Sequence, residues 1–228
     1  MNFLRNAAEY LLGGPAVGGA SEERLRRWMA LPEQEMALPH ARARYVVVDM
    51  ETAGGDPRRG ALIAIGAVGV ERTRIELADC FSATLRRGRA DAGTSGAASG
   101  REHLPATGTD PALAMLDLLE FLGKAPLVAF DAGSSRAVLE RTIKATLGVP
   151  VGRTWVDLAV VLPVLFPDAR CPTREAWLGW FGLAAGAWRD ALGDAFVTAQ
   201  LYLAVLEAAT RAGAVNAAQL IAMRQASR

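Results

Sequence analysis

The sequence predicts a single α/β domain built on a mixed five-stranded sheet, an antiparallel meander joined to parallel strands and flanked by helices. Two observations carry this expectation. Short apolar runs rich in β-branched residues fall in the order βββαβαβ, and longer helical patterns follow them to the C-terminal end. The length of 228 residues, with 51% hydrophobic and 21% charged residues, is enough for one such domain with a sizeable core.

Taken in order, residues 13–20, Gly-Gly-Pro-Ala-Val-Gly-Gly-Ala, read as a flexible joint, and Ser21 with Glu22 and Glu23 gives a helix start for 21–31. The chain thus divides into an N-terminal helical extension and linker, 1–43, and a functional domain, 44–228. Strands are expected over 45–50, 61–70 and 75–85, with turns at Asp56-Pro57 and at 71–74. A helix over 111–122, a strand over 126–130, a helix over 134–147 and a short strand over 154–156 come next. Helices at 158–166, 173–181 and 191–211 complete the pattern. Residues 88–109 carry Gly, Ala, Ser and Thr with no apolar period and read as a mobile surface loop.

Composition excludes some classes and leaves others open. The net charge of +1 advertises no nucleic-acid surface, so any such surface must come from local clustering. Cys80 and Cys171 stand alone, without the spacing of a disulfide framework or a structural zinc site, and read as reduced thiols in a cytoplasmic protein. Arg5, Glu9 and Gly13-Gly14-Pro15 interrupt the apolar residues Leu11, Leu12 and Val17, so neither an export signal nor a membrane partner is expected. The glycines at 13–19 match neither a phosphate loop nor a dinucleotide fingerprint.

The chemistry concentrates at the end of the first strand. In Val48-Asp49-Met50-Glu51-Thr52 the two acids alternate, so an extended chain projects both carboxylates from one face. Two carboxylates there need a cation or donors to compensate them; the pair reads equally as a divalent-metal site or as a strand end whose acids cap the next turn.

The string Val46-Val47-Val48-Asp49-Met50-Glu51-Thr52, with Asp56-Pro57-Arg58-Arg59 and Leu62-Ile63-Ala64-Ile65-Gly66-Ala67-Val68, resembles the first motif of the DEDDh (DnaQ-like, proofreading-type) 3'-5' exonucleases. The resemblance covers roughly 45–210 and implies a ribonuclease H-like fold, with Asp49 and Glu51 as metal-binding acids. In Trp188-Arg189-Asp190-Ala191-Leu192-Gly193-Asp194-Ala195, Asp194 matches the last metal-binding acid of the family, but Arg189 stands where the family has its general-base histidine. A guanidinium stays protonated at any working pH and accepts no proton from water. In Phe130-Asp131-Ala132-Gly133-Ser134-Ser135, Ser135 falls where the second motif has an Asp, and Asp131 reads as a turn or N-cap residue. His40 is expected to be solvated, and His103 lies in the glycine-rich loop; neither matches the general-base motif. Asp157 is expected to cap the following helix, and Trp155, Trp177, Trp180 and Trp188 to be core residues.

An intact relative would hold two divalent ions about 4 Å apart on four carboxylates. Here Asp49, Glu51 and Asp194 face an Arg at position 189, which leaves room for about one dication, so one weak Mg²⁺ or Mn²⁺ site is expected, with Arg189 touching at least one acid. Asp49, Glu51, Ser135, Arg189 and Asp194 are expected to share one cleft. The implied partner is a single-stranded nucleic-acid 3' end, with catalysis lost or strongly impaired. A slow one-metal exonuclease and a non-enzymatic protein-interaction scaffold are the alternatives. Restoring Asp at 135 and His at 189 together is expected to raise exonuclease activity more than either change alone.

Overall fold

The structure is a computed structural model of the chain, and the residues it describes are 19–54, 60–86, 108–184 and 190–223. Five strands, β1 (Arg44–Thr52), β2 (Leu62–Glu71), β3 (Arg74–Thr84), β4 (Leu127–Ala129) and β5 (Trp155–Asp157), form one sheet in the order β3-β2-β1-β4-β5. The first three are antiparallel, whereas β4 runs parallel to β1 and β5 parallel to β4. This is the mixed α/β sheet that the sequence predicts. The β2–β3 turn is tight because Glu71 pairs directly with Arg74, leaving Arg72 and Thr73 at φ of 53° and 58°. Positive φ at both central residues matches the right-handed twist of the flanking strands.

The helices are α1 (Gly19–Ala30), α2 (Pro111–Leu122), α3 (Ala132–Leu147), α4 (Leu158–Leu165), α5 (Arg174–Trp180), α6 (Ala191–Arg211) and α7 (Ala217–Ala222). Their starts follow local chemistry. Asp110 accepts from the N–H groups of Ala112 and Leu113 ahead of Pro111, and Asp157 accepts from Ala159 N at 3.0 Å, the capping role expected of it. The pattern does not announce α7, which at six residues is too short for a clear helical period.

Strand alternation sorts the core into two layers. Val46 and Val48 of β1 face one side with Leu25, Trp28, Met115, Leu119, Val138 and Ile143, which belong to α1, α2 and α3. Tyr45 and Val47 face the other side with Val161, Trp177, Leu201, Tyr202 and Leu220, from α4, α5, α6 and α7. α6 is long and apolar enough to cross a membrane by length and composition, but most of it is buried against β1 and β2.

Two expectations need adjustment, those for His40 and Trp180. Beside them, Leu25 and Trp28 of α1 lie in the same core as the sheet. Trp28 Nε1 also donates to Gly123 O at 3.0 Å, and Lys124 Nζ lies 3.8 Å from the centre of its ring. His40 is not solvated: it is 3% exposed, with Nδ1 2.6 Å from the Tyr45 hydroxyl and Nε2 3.1 Å from Ala214 O. Chain pairing at Pro39 and Asn216 carries it inward, and burial lowers its pKa despite the Ala214 carbonyl. Trp177 is buried and Trp155 packs on the core, as expected, but Trp180 is 54% exposed because it ends the short α5 on the outward side. Trp188, His103, the Asp56-Pro57 turn and the loop up to residue 107 lie outside the described residues.

Candidate functional site

β1 remains extended through Asp49 and Glu51, which share the parity of Tyr45 and Val47 and so face the layer that contains α6. The pairing with β2 shifts register only after Glu51. Opposite Asp49 in the ladder stands Gly66. A Cβ on Gly66 would lie 2.3 Å from the backbone of Ala191 and Leu192, so the absent side chain is what lets the start of α6 rest directly on the sheet. Asp190 caps α6 by accepting from Gly193 N at 2.7 Å, and Asp194 follows in the first turn, where the helix dipole favours a carboxylate. The close approach at Gly66 is therefore the physical reason Asp194 reaches the acids of β1.

The cation between them is Arg174. Its Nη1 donates to Asp49 Oδ2 at 2.8 Å, its Nη2 lies 3.3 Å from Asp194 Oδ1, and its Nε donates to Glu175 Oε1 at 3.3 Å. It comes from the first turn of α5, which Thr173 caps by accepting from Ala176 N. Arg174 and Asp49 are both about four-fifths buried, at 21% and 23% side-chain exposure. The Asp49 carboxyl is raised to about 7, with burial the largest cause; Arg174 opposes the rise, and the neighbouring Asp194 and Glu51 carboxylates add to it. Burial works against the Arg174 charge too, but Asp49, Asp194 and Glu175 outweigh it and raise the guanidinium pKa, so it stays charged.

The sequence leads one to expect Asp49, Glu51 and Asp194 as the acids of the site and Arg189 as a cation touching at least one of them. Residue 189 lies outside the described residues, and the observed counter-charge is Arg174, from a different helix. No local pattern singles Arg174 out, because its partner Asp49 lies 125 residues away along the chain.

Ser135 sits half-buried in the first turn of α3, its N–H donating to Asp131 O. Val47 pairs with Val128 in the parallel ladder; Asp49 comes two residues after Val47 and α3 starts four residues after Val128, so the α3 start lies at the same end of the sheet as Asp49. Asp131 is the N-cap of α3 in the left-handed region, at φ 58° and ψ 62°, and accepts from Ser134 N and, at 2.7 Å, from Ser134 Oγ. That occupies it as a cap, as its sequence position suggests.

A divalent ion does not fit these residues as they stand. The two carboxylates best placed to grip it, Asp49 and Asp194, are bridged by a guanidinium, Ser135 adds no charge, and among the described residues no group of three His, Cys, Asp or Glu side chains could hold a metal.

No family model matches the chain. It is 26% identical over 179 residues to the DNA polymerase III PolC-type proteins of Thermotoga petrophila and Thermotoga maritima. That alignment takes in 78% of this chain and 13% of each polymerase, so the chain spans a small part of the curated relatives it matches. Among solved structures, E. coli exonuclease I in complex with a dT13 oligonucleotide superposes with a TM-score of 0.59 at 14% identity, covering 75% of this chain and 43% of that one. Exonuclease X in complex with 5' overhanging duplex DNA gives 0.56 at 20% identity, covering 79% of this chain and 99% of the other. The zinc-bound form of the E. coli exonuclease I complex with single-stranded DNA gives 0.58 at 15% identity over 79% and 42% of the two chains. With the polymerase similarity and the motif string at 46–52, this shared architecture gives the chain a ribonuclease H-like fold similar to that of the DnaQ-like 3'-5' exonucleases.

Proposed function

We propose that this protein binds single-stranded 3' ends of nucleic acid and that its hydrolytic activity is lost or strongly impaired. The observation that carries the reading is the Arg174 bridge between Asp49 and Asp194 in a fold whose solved neighbours are held on DNA. The acids are kept, but their charge is met from within the chain. A neutral Ser135 and an Arg at 189 remove the further acid and the proton acceptor that the family resemblance calls for. Any Mg²⁺ or Mn²⁺ would have to displace the guanidinium, which makes a single weak site the most this arrangement supports. The unpaired thiols of Cys80 and Cys171 suit a reducing, cytoplasmic setting.

The test is a titration of a non-cleavable single-stranded oligonucleotide with varied salt, beside a turnover assay on a 3'-labelled oligonucleotide with Mg²⁺ and with Mn²⁺. Expected are salt-dependent binding and no turnover above the buffer rate. Multiple turnover would replace this reading with a slow exonuclease, and absent binding at low salt would replace it with a protein-interaction scaffold.

A further inference from the structure

We propose that Arg174 is a built-in counter-cation that takes the place of a divalent metal at the Asp49–Asp194 pair and keeps that pair from binding one. This rests on reading the two acids as the remnant of a metal site, and goes beyond the loss of base and acid at 189 and 135.

Geometry comes first. The guanidinium lies between carboxylates contributed by a strand and by a helix on the sheet, and its three nitrogens each meet a different acid: Asp49 at 2.8 Å, Asp194 at 3.3 Å and Glu175 at 3.3 Å. A metal gripping both Asp49 and Asp194 would need the same carboxylate oxygens, and so would have to expel a charged side chain that is four-fifths buried. A dication beside the guanidinium would meet like-charge repulsion at a few ångströms in a partly desolvated site.

Placement supports the same conclusion. A cation in the first turn of α5 works against the helix dipole and gains nothing locally from that position. What offsets this is the acids it reaches across the fold. Metal binding and Arg174 docking are thus competing ways to neutralise one acidic pair, and the chain carries the second permanently, because a guanidinium cannot be deprotonated at working pH.

The experiment measures Mn²⁺ binding to the full chain at pH 8 from the loss of the free-ion paramagnetic resonance signal. The unmodified chain is expected to bind with a Kd above about 5 mM, and Arg174→Gln to bind one ion at least about tenfold more tightly. Adding Asp49→Asn to Arg174→Gln should abolish the gain. Equal affinity with and without Arg174, or a gain that survives Asp49→Asn, overturns the proposal. Should Arg174→Gln not fold, a thermal titration of the unmodified chain decides instead. A Tm that stays within about 2 °C up to 5 mM Mn²⁺ supports the assignment, and a larger rise overturns it. The oligonucleotide titration of the unmodified chain is read separately, so failure of metal exclusion and failure of nucleic-acid binding are distinguishable.

Discussion

Replacing Asp49 by Asn should stabilise the protein, and increasingly so as the pH rises. The Asp49 carboxyl is pushed from 3.8 up to about 7 in the fold, first by burial, with Asp194 and Glu51 adding to it and Arg174 opposing. Between those two values the folded chain keeps a proton on Asp49 that the unfolded chain has released. The native state therefore binds more protons, and its stability falls as pH climbs through that window. The gap corresponds to a penalty of about 4 kcal/mol once Asp49 is fully ionised above pH 7. Asparagine has nearly the same shape and no charge, so it escapes the penalty, and Arg174 keeps Asp194 and Glu175. The stability difference between Asp49→Asn and the unmodified chain should widen by about 3 kcal/mol between pH 4.5 and pH 8, or about 6–12 °C in Tm. Differential scanning calorimetry of both proteins across that range, in chelator-treated buffer, measures it directly, and the remaining titratable groups largely cancel in the comparison. Parallel profiles, or an Asn variant that is less stable at pH 8, would show that the ion pair with Arg174 outweighs desolvation and that Asp49 ionises with an ordinary or lowered pKa.

Gly66→Ala should destabilise by about 2–3 kcal/mol or more, because its Cβ would enter the backbone of Ala191 and Leu192, and an unchanged Tm would refute the contact that seats α6 beside Asp49. Trp28→Ala, which removes a 6% exposed ring along with its hydrogen bond to Gly123, is expected to lose about 3–5 kcal/mol; an unshifted urea midpoint would show that α1 adds nothing to the stability of the core. Ser135→Asp with Arg189→His should raise exonuclease turnover less than the same pair with Arg174→Gln added, since the double variant still carries the bridging guanidinium; equal turnover in single-turnover assays on a 3'-labelled oligonucleotide would remove Arg174 from the account.

The order of strands and helices was legible because each element writes its own period. Residues 111–122 alternate at helical spacing behind an Asp-Pro start, and the runs at 45–50 and 61–70 are too short, apolar and β-branched for a surface helix. That Asp49 and Glu51 share a face was legible for a similar reason: they lie two apart on one strand, so their common side follows from strand geometry alone. Asp157 and Asp131 were readable as caps because a cap bonds only to the turn that follows it.

What the sequence could not decide was which distant groups meet. His40 became a buried partner of Tyr45 and Ala214 because the segment at Pro39 pairs with residues far along the chain, which no local pattern records. The α1 helix looked like an appendage until the sheet and α2 supplied the surface that covers Leu25 and Trp28. The counter-charge at the acids shows the limit most clearly. Charge balance demands a cation beside Asp49, yet the chain offers many arginines, and only the packing of α5 and α6 on the face of β1 selects Arg174. Local sequence fixes element type and the face a residue occupies; the pairing of a strand acid with a cation more than a hundred residues away is set by how helices pack on the sheet, and that belongs to the tertiary structure alone.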